Sequence, residues 1–121
     1  MKRELKKGYM LSTFPGKEIP LLEKFKIIKA AGYDGVETPS HLDQDEVLRA
    51  RDETGLIIPS VPSGKVSRPL ADPNPAHRAE AVEGVKQAVR DAKRYGASSV
   101  LVVPGGVGDG VSYAEAYKRN Q

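Results

Sequence analysis

At 121 residues the chain fits one ordinary domain and can bury a real core. It contains no cysteine, which excludes a disulfide framework, a thiol nucleophile and Cys-ligated zinc. Nineteen Lys and Arg against sixteen Asp and Glu leave a small positive excess, much of it in the first seven residues, Met1-Lys2-Arg3-Glu4-Leu5-Lys6-Lys7; this reads as a solvated tail, short of the sustained basic face that nucleic acid requires.

The tail is not followed by an apolar signal-peptide core, and no apolar run nears the ~18 residues of a membrane span. The expected setting is cytoplasmic, with no membrane partner. The first strand is expected over Gly8-Tyr9-Met10-Leu11-Ser12-Thr13, broken by Phe14-Pro15-Gly16. A helix follows from about Pro20 to Ala31, with Pro20 at its first position and Leu21, Leu22, Phe25, Ile28 and Ala31 at helical spacing. Gly32 stops it, and Gly35-Val36-Glu37-Thr38 forms the second strand. Asp43 and Glu46 mark the start of a second helix that ends at Gly55. Leu56-Ile57-Ile58-Pro59-Ser60-Val61 is the third strand, with an irregularity expected at Pro59 because proline donates no ladder hydrogen bond.

Pro62 to Pro75 holds four prolines and reads as a long loop. The longest helix spans about Pro75 to Tyr95, with Val82, Val85, Val89 and Ala92 as its apolar stripe. Ser99-Val100-Leu101-Val102-Val103 has the continuous apolar character of a parallel strand buried on both faces. A glycine-rich loop, 104–110, follows; it matches neither the dinucleotide fingerprint nor the P-loop. Ser112 and Glu115 then form a capping box that opens a last helix. The order β-α-β-α-β-α-β-α implies a single α/β domain of four parallel β/α units with right-handed crossovers. A complete barrel needs about 250 residues, so four units correspond to half of a TIM barrel, and the last helix reads as interrupted.

Several stretches then point to a family: Lys29-Ala30-Ala31-Gly32-Tyr33-Asp34-Gly35-Val36-Glu37, Glu53-Thr54-Gly55-Leu56, Pro69-Leu70-Ala71-Asp72-Pro73-Asn74-Pro75, and Gly84-Val85-Lys86-Gln87-Ala88 leading to Tyr95-Gly96-Ala97 and Val100-Leu101-Val102-Val103-Pro104-Gly105. The chain resembles the N-terminal half of the xylose-isomerase-like barrels, the sugar phosphate isomerase/epimerase group. The resemblance implies a sugar or sugar phosphate substrate and a divalent metal (Mn, Mg, Co or Zn). Two carboxylates move a proton next to a carbonyl while the metal polarises the adjacent oxygens. Family members usually draw their metal ligands from strands five to eight, so this chain alone is expected to hold no metal and to be inactive.

Within the resemblance, Glu37 occupies the acidic position at the end of strand two that contacts substrate. Ser60 and Ser63 stand at the end of strand three, where many relatives have a histidine. Lys65 or Arg68 is a candidate for holding a phosphate, set against the alternative of solvated loop charges. His41 reads as a surface histidine and His77 as solvent-facing. Two other readings remain open. One is a repair nuclease of the endonuclease IV type, whose zinc-binding histidines would come from strand ends that here carry Ser60, Ser63 and Pro104-Gly105. The other is a non-enzymatic half-barrel that binds or assembles, its open edges making at least a dimer or awaiting a C-terminal half.

Overall fold

The computed structural model describes residues 5–108 and 110–121. The first four residues of the basic tail, and Asp109 of the glycine-rich loop, lie outside the described residues. Four short strands alternate with helices in the expected order. They are β1 (Gly8–Met10), β2 (Gly35–Glu37), β3 (Ser60–Pro62) and β4 (Ser99–Leu101). The helices are α1 (Leu21–Ala30), α2 (Gln44–Thr54), a short α3 (Gly64–Ser67), α4 (Pro75–Tyr95) and α5 (Tyr113–Arg119).

β1 pairs with β2, and β3 with β4, both in parallel. The two pairs are stitched together across β2 and β3. Ile57 N–H donates to Asp34 C=O at 3.1 Å, and Val36 N–H donates to Ile57 C=O at 2.9 Å. Thr38 N–H then donates to Ser60 C=O at 3.3 Å, and Ser40 N–H to Pro62 C=O at 3.1 Å. Two steps along β2, from Val36 to Thr38, are matched by three steps from Ile57 to Ser60. The extra residue makes a bulge around Pro59, the residue with no N–H to give. Ile58 and Val61 consequently point to the same, helix-covered side, and both are buried. The result is one row of parallel strands in the order 1-2-3-4.

The helix ends obey local chemistry. Asp43 accepts a hydrogen bond from Glu46 N–H and caps α2, and Asn74 caps α4 by accepting from Ala76 N–H. Gly55 and Gly96 close α2 and α4 in the left-handed conformation, φ 67° and 75°, which glycine adopts without steric cost. Ser112 and Glu115 form the full reciprocal capping box at α5. Pro20 caps α1 from just outside instead of occupying its first turn.

The core lies between the strands and the helices. One cluster gathers Leu11, Phe25, Ile28, Val36, Ala50 and Leu56; the other gathers Val47, Ile58, Val61, Ala88, Ala92 and Tyr95. α2 contributes to both, through Ala50 and Val47, and so ties the two halves of the sheet.

Four further expectations need correction. β1 covers only Gly8–Met10, and Leu11–Thr13 turns into a 3₁₀ segment. The proline-rich stretch is not a long loop: it folds into α3 and a 3₁₀ turn, Arg68–Ala71. The apolar stripe of α4 is displaced. Val82 and Val89 are 43% and 54% exposed, while Ala81, Ala88, Ala92 and Tyr95 are buried. Small side chains let α4 sit close to its neighbours, where valine would hold it off. Finally, β4 is not buried on both faces. It stands at the edge of the row, and Leu101 is 48% exposed.

Candidate functional site

Side chains alternate across each strand. Tyr9, Val36, Val61 and Val100 pack into the helix-covered core. Their neighbours Met10, Glu37, Ser60, Pro62, Ser99 and Leu101 therefore face the other way, onto the concave inner side of the row. The bulge at Pro59 matters here. Without its extra residue Ser60 would share the side of Leu56 and Ile58; with it, Ser60 turns inward.

Glu37 is the last residue of β2, paired in register with Met10. It is partly exposed, and among the described residues its carboxylate enters no salt bridge. The sequence-derived residues divide into three settings. Glu37 and Ser60 share the inner face. Lys65 is exposed and lines a cleft of 630 Å³ at the carboxyl ends of the strands, with Ser12, Ser40 and His41. Arg68 lines a separate groove of 340 Å³ against Gly105 to Gly108.

Ser63 belongs to none of these. It is 1% exposed, and both its N–H and its Oγ donate to Leu101 C=O at 2.9 Å. Ser67 does similar work one turn on, donating to Val103 C=O and accepting from Val103 N–H, both at 2.9 Å. These two hydroxyls carry the β3–β4 pairing past the end of β3.

His41 and Asp91 escaped the sequence reading as site residues. His41 lies on the β2–α2 loop, and its N–H donates to the buried Asp91 carboxylate of α4 at 2.9 Å. Gln44 and Gln87 also donate to Asp91, at 2.6 and 2.8 Å. Burial pushes the Asp91 carboxyl up, but the hydrogen bonds from His41, Gln44 and Gln87 more than reverse it and hold the group below the usual carboxylate range. One signal could have exposed it: Asp91 shares a helix face with Ala88, Ala92 and Tyr95, where a charge is out of place.

Among the described residues no group of three or more His, Cys, Asp or Glu side chains is placed to hold a metal ion. The residues present do not make the divalent-metal site that the family resemblance implies, and no step below is routed through one. Among the described residues, no helix is long and apolar enough to cross a membrane.

Four parallel β/α units in sequential order, with the candidate side chains at the strand ends and on the concave face, make up half of an eight-unit β/α barrel. The model of the xylose isomerase-like TIM barrel family matches residues 25–121, and the chain belongs to that family. Solved structures agree on the fold. The 3-keto-D-glucoside 4-epimerase YcjR from E. coli, in its apo form, superposes with a TM-score of 0.76 at 22% identity, covering 97% of this chain and 48% of that one. An AP endonuclease of family 2 from Brucella melitensis gives 0.71 at 16% identity, covering 96% and 47%. A xylose isomerase domain containing protein from Salmonella typhimurium LT2 gives 0.66 at 19% identity, covering 94% and 42%. The chain thus spans a little under half the length of these structures. No curated protein matches it.

Proposed function

We propose that this chain is half of a sugar or sugar phosphate isomerase/epimerase barrel, set in the cytoplasm, and that Glu37 contacts the substrate next to the carbonyl. The observation that carries the reading is the placement of Glu37 at the carboxyl end of β2 on the open inner face. A carboxylate there can take a proton from the carbon beside a carbonyl. Returning it on the other side needs a second acid. The inner-face neighbours Met10, Ser60, Pro62 and Leu101 supply none, so the chain alone binds without turning over.

The test is solvent deuterium incorporation at the carbon next to the carbonyl, followed by NMR over a panel of aldoses and ketoses and their phosphates. The isolated chain forms no product inverted at that carbon, because it holds no second acid on the opposite face. In a polypeptide that completes the barrel, exchange occurs and E37Q slows it by ~100-fold or more. Exchange that survives E37Q unchanged removes Glu37 from the chemistry. Cleavage of abasic-site DNA by that polypeptide would instead support the nuclease reading, which the strand ends at Ser60, Ser63 and Pro104-Gly105 disfavour.

A second reading, assembly without catalysis, is favoured by the exposed apolar side chains Leu101, Val102 and Val103 beside the β4 edge, which pairs with no further strand among the described residues. It predicts self-association of the isolated chain, and the two readings are compatible if association closes a barrel.

A further inference from the structure

The proposed proton transfer makes no use of Asp91, although the fold goes to some length to keep it. Its carboxylate is 1% exposed on α4. Burying an ionised carboxylate is unfavourable unless donors surround it, and three do: His41 N–H, Gln44 Nε2 and Gln87 Nε2. Gln44 and Gln87 flank the carboxylate from α2 and α4, while the third bond reaches 50 residues back to the β2–α2 loop. A leucine would fill the space without any of this.

Besides the two glutamine side chains, the Asp91 carboxylate holds one backbone position. His41 is the one non-glycine residue at positive φ among those described, at 65°. Such a conformation persists only where surrounding contacts impose it. With its N–H fixed by Asp91, His41 leaves its imidazole exposed at the edge of the 630 Å³ cleft, Nδ1 2.9 Å from Ser40 Oγ. The cleft also takes in Ser12 and Lys65. Among the described residues its polar side chains are therefore two hydroxyls, an imidazole and an ammonium, with no carboxylate. That set suits an oxygen anion.

We propose that this cleft receives the anionic group of a sugar derivative, a phosphate monoester or a carboxylate, on Lys65, His41, Ser12 and Ser40, and that Asp91 is the positioning residue for His41. The word sugar rests on the function proposed above; the anion rests on the cleft.

The experiment is an NMR titration of the isotopically labelled chain, following the His41 imidazole and the Lys65 side chain. The probes are inorganic phosphate, glucose 6-phosphate, glucuronate and glucose. Glucose 6-phosphate or glucuronate shifts both signals, which source being told by the stronger of the two, while glucose leaves them in place. D91L weakens the preferred probe by ~10-fold, the scale of one charge-assisted hydrogen bond. D91N keeps an oxygen for His41 N–H and restores most of that affinity. H41N, a surface change that serves if D91L does not fold, weakens the probe to a similar extent.

Equal response to glucose and glucose 6-phosphate overturns the anion site. Affinity unchanged in H41N or in a folded D91L overturns the role of His41 or of Asp91. Inorganic phosphate binding as tightly as both sugar anions supports the anion site and counts against the sugar reading alone.

Discussion

At the scale of single residues, two buried groups titrate in opposite directions. Asp91 has a folded-state pKa below the unfolded carboxylate value. Its stabilising contribution is therefore complete above about pH 4, the ordinary range for Asp, and is lost as pH falls through the folded value. Urea unfolding at a series of acid pH values should show this loss in the wild-type chain and a flatter profile in D91N. Tyr95 behaves the other way. Burial, then the neighbouring Asp91 charge, pushes its phenol up to about 12 from an ordinary 10.0. Stability tied to the neutral phenol is complete below pH about 10 and lost as pH rises through about 12. The Tyr95 hydroxyl is buried with no hydrogen-bond partner among the described residues. Y95F should therefore raise stability at neutral pH by about 1 kcal/mol, by removing an unsatisfied polar group. It should also remove the alkaline decline, and a thermal melt at two pH values reads both effects.

At the scale of elements, Gly84 sets helix propensity against packing. Alanine at an exposed helix interior gains about 1 kcal/mol over glycine. A Cβ on Gly84 would lie 2.8 Å from Val66 Cβ, an atom close to the backbone of α3 with little freedom to withdraw. Overpacking of that kind costs about 1–3 kcal/mol, so G84A should lower stability by about 1 kcal/mol in chemical denaturation. The same close contact explains why the buried side of α4 was not legible. Periodicity favours the larger valines, yet Ala81, Gly84 and Ala88 occupy the side that meets its neighbours. Other features could be read from sequence because their causes are local. Asp43, Ser112 and the closing glycines act within a turn of their own residue, and α4 lies where its sequence places it. The strand lengths, the bulge at Pro59 and the fold of 64–71 depend on partners far along the chain. So does the mouth cleft: the strand that ends on Glu37 was legible from the turn before it, whereas the pairing of His41 with Asp91 spans 50 residues and leaves no local trace.

At the scale of the whole molecule, the concave face is lined by apolar and polar side chains, with no facing layer among the described residues. Met10 at one edge is 40% exposed and Leu101 at the other is 48% exposed. Light scattering on the isolated chain should report a mass that grows with concentration. L101K, which sets a charge against the β4 edge, should weaken that association by ~10-fold or more, as hot-spot substitutions do. A mass fixed at the monomer over the accessible range would remove the assembly reading. The parallel arrangement also gives such an assembly a direction. Every strand runs the same way, so a junction that keeps the strands parallel joins β4 of one copy to β1 of the next, head to tail, with unlike edges meeting. Junctions of that type either return to their starting point or extend without limit. With four strands per copy and eight in a full circle, the second copy already brings the row back to the first. The curvature of the half-barrel is thus what would separate a finite pair from a growing fibre, and a substitution that flattened it should show first as loss of an upper limit on particle size.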